Sequence, residues 1–397
     1  MLPLGLAGWA AEVPVGPASV GLGLLALTVG CLCGALGIYT RASLTLATVA
    51  ALYVLSVPQR LGSVTHGHHL VWFLGILAAS RSGDVMSRDA RKRKARAPAK
   101  DLAYGVPIWT MRLLVAVIFF FPGWWKLKTQ GLEWIGSDNL RNLLHAKWFQ
   151  SGELPPFRID RWPRLLSMLS AAALIFELGF IGCLWSRPLR TIGVGAALGF
   201  HAFTHVFLSI RFSALWLTYP MFFDAARIRF RLTGVKVRRA RLGGGPLRWL
   251  PAAIVGAVLV GGNVGFGALG ITEAWPFACY PKFSAPAPPG LPSVWVETEG
   301  RAGRRTILRG DEPGRPETWA QRWALLSAPP SAPRYISFLK AQPELAQAAL
   351  EAGVERLHFS AVIYEIEPLS PGDPPRAPKR TTPLFTLELA QHPPASW

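Results

Sequence analysis

Residues 104–124 read YGVPIWTMRLLVAVIFFFPGW, twenty-one positions with a single charged side chain, Arg112. The hydrocarbon core of a bilayer is about 30 Å thick and is crossed by about 20 apolar helical residues. This stretch is therefore long enough to span a membrane once. Outward from it, comparable apolar stretches occupy 16–39, 42–57, 62–80, 165–186, 189–209, 212–224 and 249–270. Together they predict an all-α polytopic membrane bundle of about eight spans. The stretches at 42–57 and 212–224 are short. The latter follows its predecessor almost directly, through Ser209-Ile210-Arg211-Phe212-Ser213, and reads as a half-helix or re-entrant piece.

Composition agrees with this reading. Of 397 residues, 51% are hydrophobic and 16% charged, whereas a soluble domain carries about 25% charge. Mean hydropathy is +0.28. Apolar content this high excludes a disordered chain, and the 39 Gly follow no triplet period, which excludes a collagen.

The net charge of +19 is concentrated in two runs. Residues 81–100 hold Arg81, Arg88, Arg91, Lys92, Arg93, Lys94, Arg96 and Lys100 against Asp84 and Asp89. Residues 225–248 hold eight more, from Arg227 to Arg248, and no acid. Sixteen bases against two acids account for +14 of the +19. Both runs lie between apolar stretches, where positive loops mark the cytoplasmic side and nucleic acid is not the expected partner. Four crossings between the runs keep both in the cytoplasm and place everything beyond residue 270 outside an inner, plasma membrane. The first fifteen residues contain no Lys or Arg, so they lack the basic start of a signal peptide and are expected outside as well.

Residues 1–275 form the expected transmembrane domain, and residues 276–397 a small extracytoplasmic α+β module. There Pro-rich connectors appear (Ala285-Pro286-Ala287-Pro288-Pro289), charge is mixed and no apolar run is long enough to span. Val294–Glu299 and Arg356–Glu367 read as strands, Pro316–Leu326 and Tyr335–Ala352 as helices, and 368–382 as a Pro-rich loop. Cys31, Cys33 and Cys183 fall within spans, and Cys279 alone lies outside, so the module is not expected to hold an internal disulfide.

Ionisable side chains inside spans are costly and therefore stand out. Arg112 and Glu177 each lie roughly 18 Å below the outer ends of adjacent antiparallel spans, which predicts a buried ion pair. His201 and His205 share one face of a helix at spacing i, i+4. Zinc would need a third ligand that the sequence does not supply nearby, so the pair reads as hydrogen-bonding lining of a polar pocket and no metal is expected. His66, His68 and His69 open the third span, either as interfacial imidazoles or as part of a site. Lys126 closes the fourth. It reads either as a snorkelling lysine beside an aromatic belt or, seated among Trp and Phe, as an amine able to act as a base. Lys126, His68, His201 and His205 all fall toward the outer ends of three spans.

The segment Pro107-Ile108-Trp109, Arg112, Gly123 to Leu127, Trp134-Ile135-Gly136 and Leu140 resembles the K-L-x-x-x-W-x-x-G region of the HTTM (horizontally transferred transmembrane domain) family. The vitamin K-dependent gamma-carboxylases are its best-known members. The similarity runs over about 60–225, through Glu177 and Arg187 to His201, His205 and Phe212. It implies that Lys126 takes the place of the lysine that deprotonates reduced vitamin K, with His68 or His69 assisting and His201 and His205 nearby. Trp125 and Trp134, with Arg112 and Glu177, would surround the bound cofactor. That cofactor would be a reduced quinone, menaquinol or vitamin K-like, whose oxidation by O2 generates the base for glutamate carboxylation. Beyond the resemblance, Trp275-Pro276 through Tyr280-Pro281-Lys282-Phe283-Ser284 is similar to a junction in bacterial membrane proteins with small C-terminal modules. Two functions follow as expectations: a carboxylase-like oxidoreductase acting on a membrane quinol or lipid, or a non-catalytic lipid-binding or envelope scaffold. Membrane lipids are partners in both, with an extracytoplasmic protein docking on 276–397. A transporter is disfavoured, because no pair of broken helices recurs in two matching halves.

Overall fold

The computed structural model describes residues 15–60, 67–84, 87–92, 102–151, 154–223, 248–271, 274–277, 284, 287, 290–300, 303, 305–309, 331–332, 335–336, 339, 354–365 and 380–391. The expected helix Pro316–Leu326, most of Tyr335–Ala352, His66, Cys279, the junction Tyr280 to Phe283 and most of both basic runs lie outside the described residues.

Ten α-helices are described: α1 (Pro17–Leu36), α2 (Thr40–Arg60), α3 (His68–Ala79), α4 (Arg88–Lys92), α5 (Leu102–Gln130), α6 (Ser137–Ser151), α7 (Pro163–Gly179), α8 (Arg187–Leu208), α9 (Ser213–Trp216) and α10 (Leu250–Leu269). Among the described residues six helices are long and apolar enough to cross a membrane: α1, α2, α5, α7, α8 and α10. The third apolar stretch appears as the twelve-residue α3. The seventh is not a span. Ser209 leaves the helical region at φ 54° and ends α8, and Pro220 supplies no amide proton. What forms after Ser209 is one α-turn, α9, and a 3-10 turn at Tyr219–Phe222 that includes Pro220.

The outward faces of the long helices explain the composition. Leu25, Leu32, Ile175, Ile192 and Val258 are each more than half exposed. Such a surface is unfavourable in water and neutral against lipid tails, so helix association in this setting depends on close packing rather than on excluding water. The α1–α2 hairpin illustrates that packing. A Cβ on Gly30 would lie 2.8 Å from the Ser43 carbonyl oxygen, so only glycine permits the two backbones to approach this closely.

The chain divides into two compact units. The first comprises Met1–Trp134, Met168–His205 and Ile210–Pro286. Its core has one cluster joining Val71, Trp72 and Ile76 of α3 to Met111 and Leu114 of α5 and Leu259 of α10. A second joins Val115 and Phe119 of α5 to Phe180, Val194, Ala197, Tyr219 and Phe222.

The second unit comprises Ile135–Ser167, Val206–Ser209 and Ala287–Trp397. It contains a four-stranded antiparallel sheet of order β2-β1-β3-β4, formed by β1 (Gly290–Gly300), β2 (Arg305–Arg309), β3 (Val354–Glu365) and β4 (Arg380–Glu388). Val294 and Val296 on β1, Leu357 and Phe359 on β3 and Leu387 on β4 alternate onto one buried face. Tyr335 and Leu339, one helical turn apart, cover that face, and the Tyr335 ring stacks on Phe385. β1 contains the expected strand Val294–Glu299, and β3 covers the expected Arg356–Glu367 as far as Glu365, its last two residues lying outside the described ones. β2 and β4 were not expected, and β4 takes over the end of the predicted loop at Arg380. The unit also includes α6, whose Asn139 and Asn142 side chains hydrogen-bond the backbone N–H and C=O of Ala287 just before β1.

Candidate functional site

The expected chemistry centres on Lys126, and the structure places it in the interior. α5 continues six residues beyond Trp124, so Lys126 lies within the helix rather than at its end. One turn earlier is Gly123, where a Cβ would lie 2.9 Å from the Glu177 Cβ and 3.1 Å from the Leu178 Cγ. Glycine there lets α7 approach α5, and a residue three positions on shares that face. Lys126 Nζ consequently donates to both carboxylate oxygens of Glu177, at 2.5 and 2.7 Å. The Trp134 ring covers the amine, its centroid 4.7 Å away. Lys126 is 4% exposed and Glu177 3%. Neither charge would tolerate this burial alone, and the two-point contact compensates both. Lys128, two positions on and on another side of the helix, behaves as the snorkelling lysine, its amine 4.1 Å from the Trp125 ring centroid.

Three sequence expectations are corrected. Arg112 does not pair with Glu177. Its guanidinium donates to the Met221 carbonyl oxygen, from Nε at 2.7 Å and also from Nη2. Trp124 is not the end of the helix: α5 runs on to Gln130, and a 32-residue connection precedes α7, so equal counts from Trp124 and Leu165 do not give equal depth. Trp125 is turned away from Lys126 by the helical rotation. Its indole donates to the Gly267 carbonyl oxygen at 2.7 Å and buttresses α10. His205 is exposed while His201, one turn earlier, is buried, so they do not line one pocket.

The remaining candidates have neighbours of their own. His68 is buried with its ring 4.7 Å from that of Trp275 and 6.4 Å from that of Trp72. His201 Nε2 and the Tyr219 hydroxyl share a hydrogen bond of 2.5 Å, within a ring of Phe119, Phe212 and Trp216. Its Nδ1 is buried and has no hydrogen-bond partner among the described residues. Phe119 lies seven residues before Lys126, so His201 sits about 10 Å along α5 from the amine. Tyr219 was missed from sequence because its stretch read as a span. Among the described residues no three His, Cys, Asp or Glu side chains gather as a metal ion would require.

A buried polar cluster in the second unit was also missed. Asp160 receives two hydrogen bonds from Arg158, at 2.8 and 2.7 Å, and lies 3.0 Å from His145 Nε2. Burial by itself would raise the Asp160 carboxyl. The hydrogen bonds from Arg158 and His145, and their charges, outweigh it and hold the group down at about 2. The only sequence signal was the Arg158-x-Asp160 spacing in a connection otherwise lacking apolar periodicity.

The geometry at Gly123 makes a direct prediction. Gly123→Ala should force α5 and α7 apart and cost about 1–3 kcal/mol of stability. Gly105→Ala on the same helix, with nothing within 4 Å of the added carbon, should be neutral or slightly stabilising. Thermal unfolding of both variants in detergent separates the two outcomes.

No curated protein matches the chain, and no solved structure does. A family model described as HTTM domain matches residues 14–226, just over half the chain. The match begins 46 residues before the expected extent of 60–225, so α1 and α2 belong to the domain as well. With membrane-length apolar helices throughout that region, the chain is an integral membrane protein and belongs to the HTTM family, the family related to the vitamin K-dependent gamma-carboxylases.

Proposed function

We propose that the protein is a carboxylase-like oxidoreductase of the membrane interior, acting on a reduced quinone or another lipid with an acidic hydroxyl, with Lys126 as base. The observation that carries this reading is the buried Lys126–Glu177 pair under Trp134. Such a pair exists in two forms with the same number of protons, ammonium with carboxylate or amine with carboxylic acid. In a dry site the second form exposes an amine lone pair to a substrate hydroxyl while Glu177 stores the proton and positions the nitrogen. The Trp134 face and the unpartnered buried Nδ1 of His201 suit an aromatic, oxygen-bearing ligand. A reduced quinone, when bound, would supply the hydroxyl proton and the reducing electrons. Its lipid solubility matches a site reached through the bilayer. His68, among Trp72 and Trp275, would assist from α3. In this reading both basic runs face the cytoplasm, the membrane is the plasma membrane, and the C-terminal sheet lies outside it, where it docks a protein partner.

A second reading is a lipid-binding or envelope scaffold. It is favoured by the two-point engagement of the Lys126 amine, which is what a purely structural lock would show. Quinol-dependent O2 uptake in proteoliposomes distinguishes the two. The variant to use is Lys126→Met/Glu177→Leu, which removes both charges together and preserves packing. If the enzyme reading holds, this variant folds and loses turnover at least a hundredfold, while Lys128→Ala retains it. Full turnover in the folded double variant eliminates Lys126 as base. A bound lipid recovered by mass spectrometry and never consumed by the wild-type protein establishes the scaffold reading.

A further inference from the structure

Described residues from the two basic runs, Arg81 and Lys92 from the first and Arg248 from the second, line one hollow. It has a volume of about 870 Å³ and lies where α2 starts, α3 has just ended and α10 starts, the polar boundary of three apolar helices. Four cations line it: Arg81 and Lys92 from the first run, Arg248 from the end of the second, and Arg41 from the first turn of α2. Two acids line it too, and both are occupied. Asp84 is paired with Arg81 and accepts a hydrogen bond from the Tyr104 hydroxyl at 2.8 Å. Asp89 accepts from the backbone N–H groups of Tyr39 and Thr40 and from the Thr40 hydroxyl. The helix N-terminus at Thr40 is thereby already capped. Arg41, Lys92 and Arg248 are left exposed, with no side-chain hydrogen bond or ion pair among the described residues.

Four cations against two carboxylates leave the lining with an excess of two positive charges, and Arg41, Lys92 and Arg248 facing one concavity repel each other unless an anion joins them. We propose that this hollow is a binding site for a phosphate-bearing anion, the headgroup phosphate of an anionic phospholipid, held by Arg41, Lys92 and Arg248. Guanidinium groups bind phosphate oxygens in pairs and an ammonium adds a point charge. The volume falls in the range that holds a small organic ligand and exceeds what a bare phosphate fills. A site at the end of apolar helices also places the acyl chains alongside the hydrocarbon surface while the phosphate stays in the hollow.

The test uses the full chain, delipidated in neutral detergent and titrated calorimetrically with dioctanoyl phosphatidylglycerol and, separately, with inorganic phosphate. An Arg41→Gln/Lys92→Gln/Arg248→Gln variant is compared with Arg161→Gln/Arg164→Gln/Arg187→Gln, which removes the same charge from exposed positions that do not line the hollow. The expected result is saturable binding of the lipid, weakened at least about tenfold by the first variant and retained by the second, since a lost charge-assisted hydrogen bond is worth roughly a factor of ten. Saturable binding of inorganic phosphate alone, lost in the same variant, keeps the site and makes its ligand a soluble phosphate. Equal weakening by both variants, or no saturable binding of either ligand, overturns the proposal.

Discussion

Lys126→Ala will lower the thermal unfolding midpoint on the order of 10 °C, and Glu177→Ala will do the same, because each leaves an uncompensated charge in the interior. Breaking a buried pair from one side typically costs about 3–5 kcal/mol, and a kcal/mol shifts the midpoint of a domain of this size by roughly 2–4 °C. Each of these residues is less than 5% exposed, so water cannot replace the missing partner without opening the α5–α7 contact at Gly123. Lys126→Met/Glu177→Leu will restore most of the loss, since apolar residues of similar volume often substitute for a buried ion pair at little cost. The measurement is a double-mutant cycle by thermal unfolding in a fixed detergent. A coupling below about 0.5 kcal/mol means that the two side chains do not support one another. Arg112→Ala belongs in the same series. It loses hydrogen bonds to the Met221 carbonyl oxygen, which Glu177 does not share, so it should show no coupling to Glu177. The cycle is independent of function, because a structural lock and a catalytic pair share the same thermodynamics.

The spans were legible because hydropathy over some twenty residues depends on the environment alone and not on which helix touches which. The partner of Glu177 was not legible in this way. It depends on the axial offset between two helices, and that offset is set by the chain between them, Gly131 to Trp162, which contains no apolar stretch to anchor a depth estimate. Lys126 itself could be picked out, as the position where an aromatic run meets a cation. The two residues that complete its surroundings were visible only as a glycine and a tryptophan: Gly123 through its missing side chain and Trp134 through its ring over the amine. The strands divided in a comparable manner. β1 and β3 are the central pair, and their alternating Val, Leu and Phe announced them. β2 and β4 are edges, with Arg305 and Arg309 at the ends of one and Pro383 inside the other, and such residues obscure a strand in sequence while they protect a sheet edge from pairing.

The second unit will lose stability in acid between about pH 4 and pH 2, and Asp160→Ala will reproduce that loss at neutral pH. The folded carboxyl is held at about 2 by Arg158 and His145, below the ordinary aspartate value of 3.8. A group whose folded value is depressed contributes stability that is fully present above its unfolded value, and the contribution disappears as pH falls toward the folded one. The difference amounts to about 2 kcal/mol. Asp160→Ala should cost about 3 kcal/mol, because it also removes the two hydrogen bonds from Arg158 and the contact with the buried His145. Asp160→Asn keeps an acceptor oxygen and should fall between the two. Hydrogen exchange in α6 provides a local readout, since the His145 side chain ties this helix to Asp160, and the Trp148 indole ties it to the Phe207 carbonyl oxygen. Protection in α6 that persists unchanged to pH 2 in the wild-type protein, or an Asp160→Ala protein as acid-stable and as protected at pH 7 as wild type, would show that the cluster does not hold this unit together. If the loss appears as expected, the connection between α5 and α7 is an ordered structural element whose stability rests on one carboxylate. The span pattern of the sequence gave no reason to expect order there.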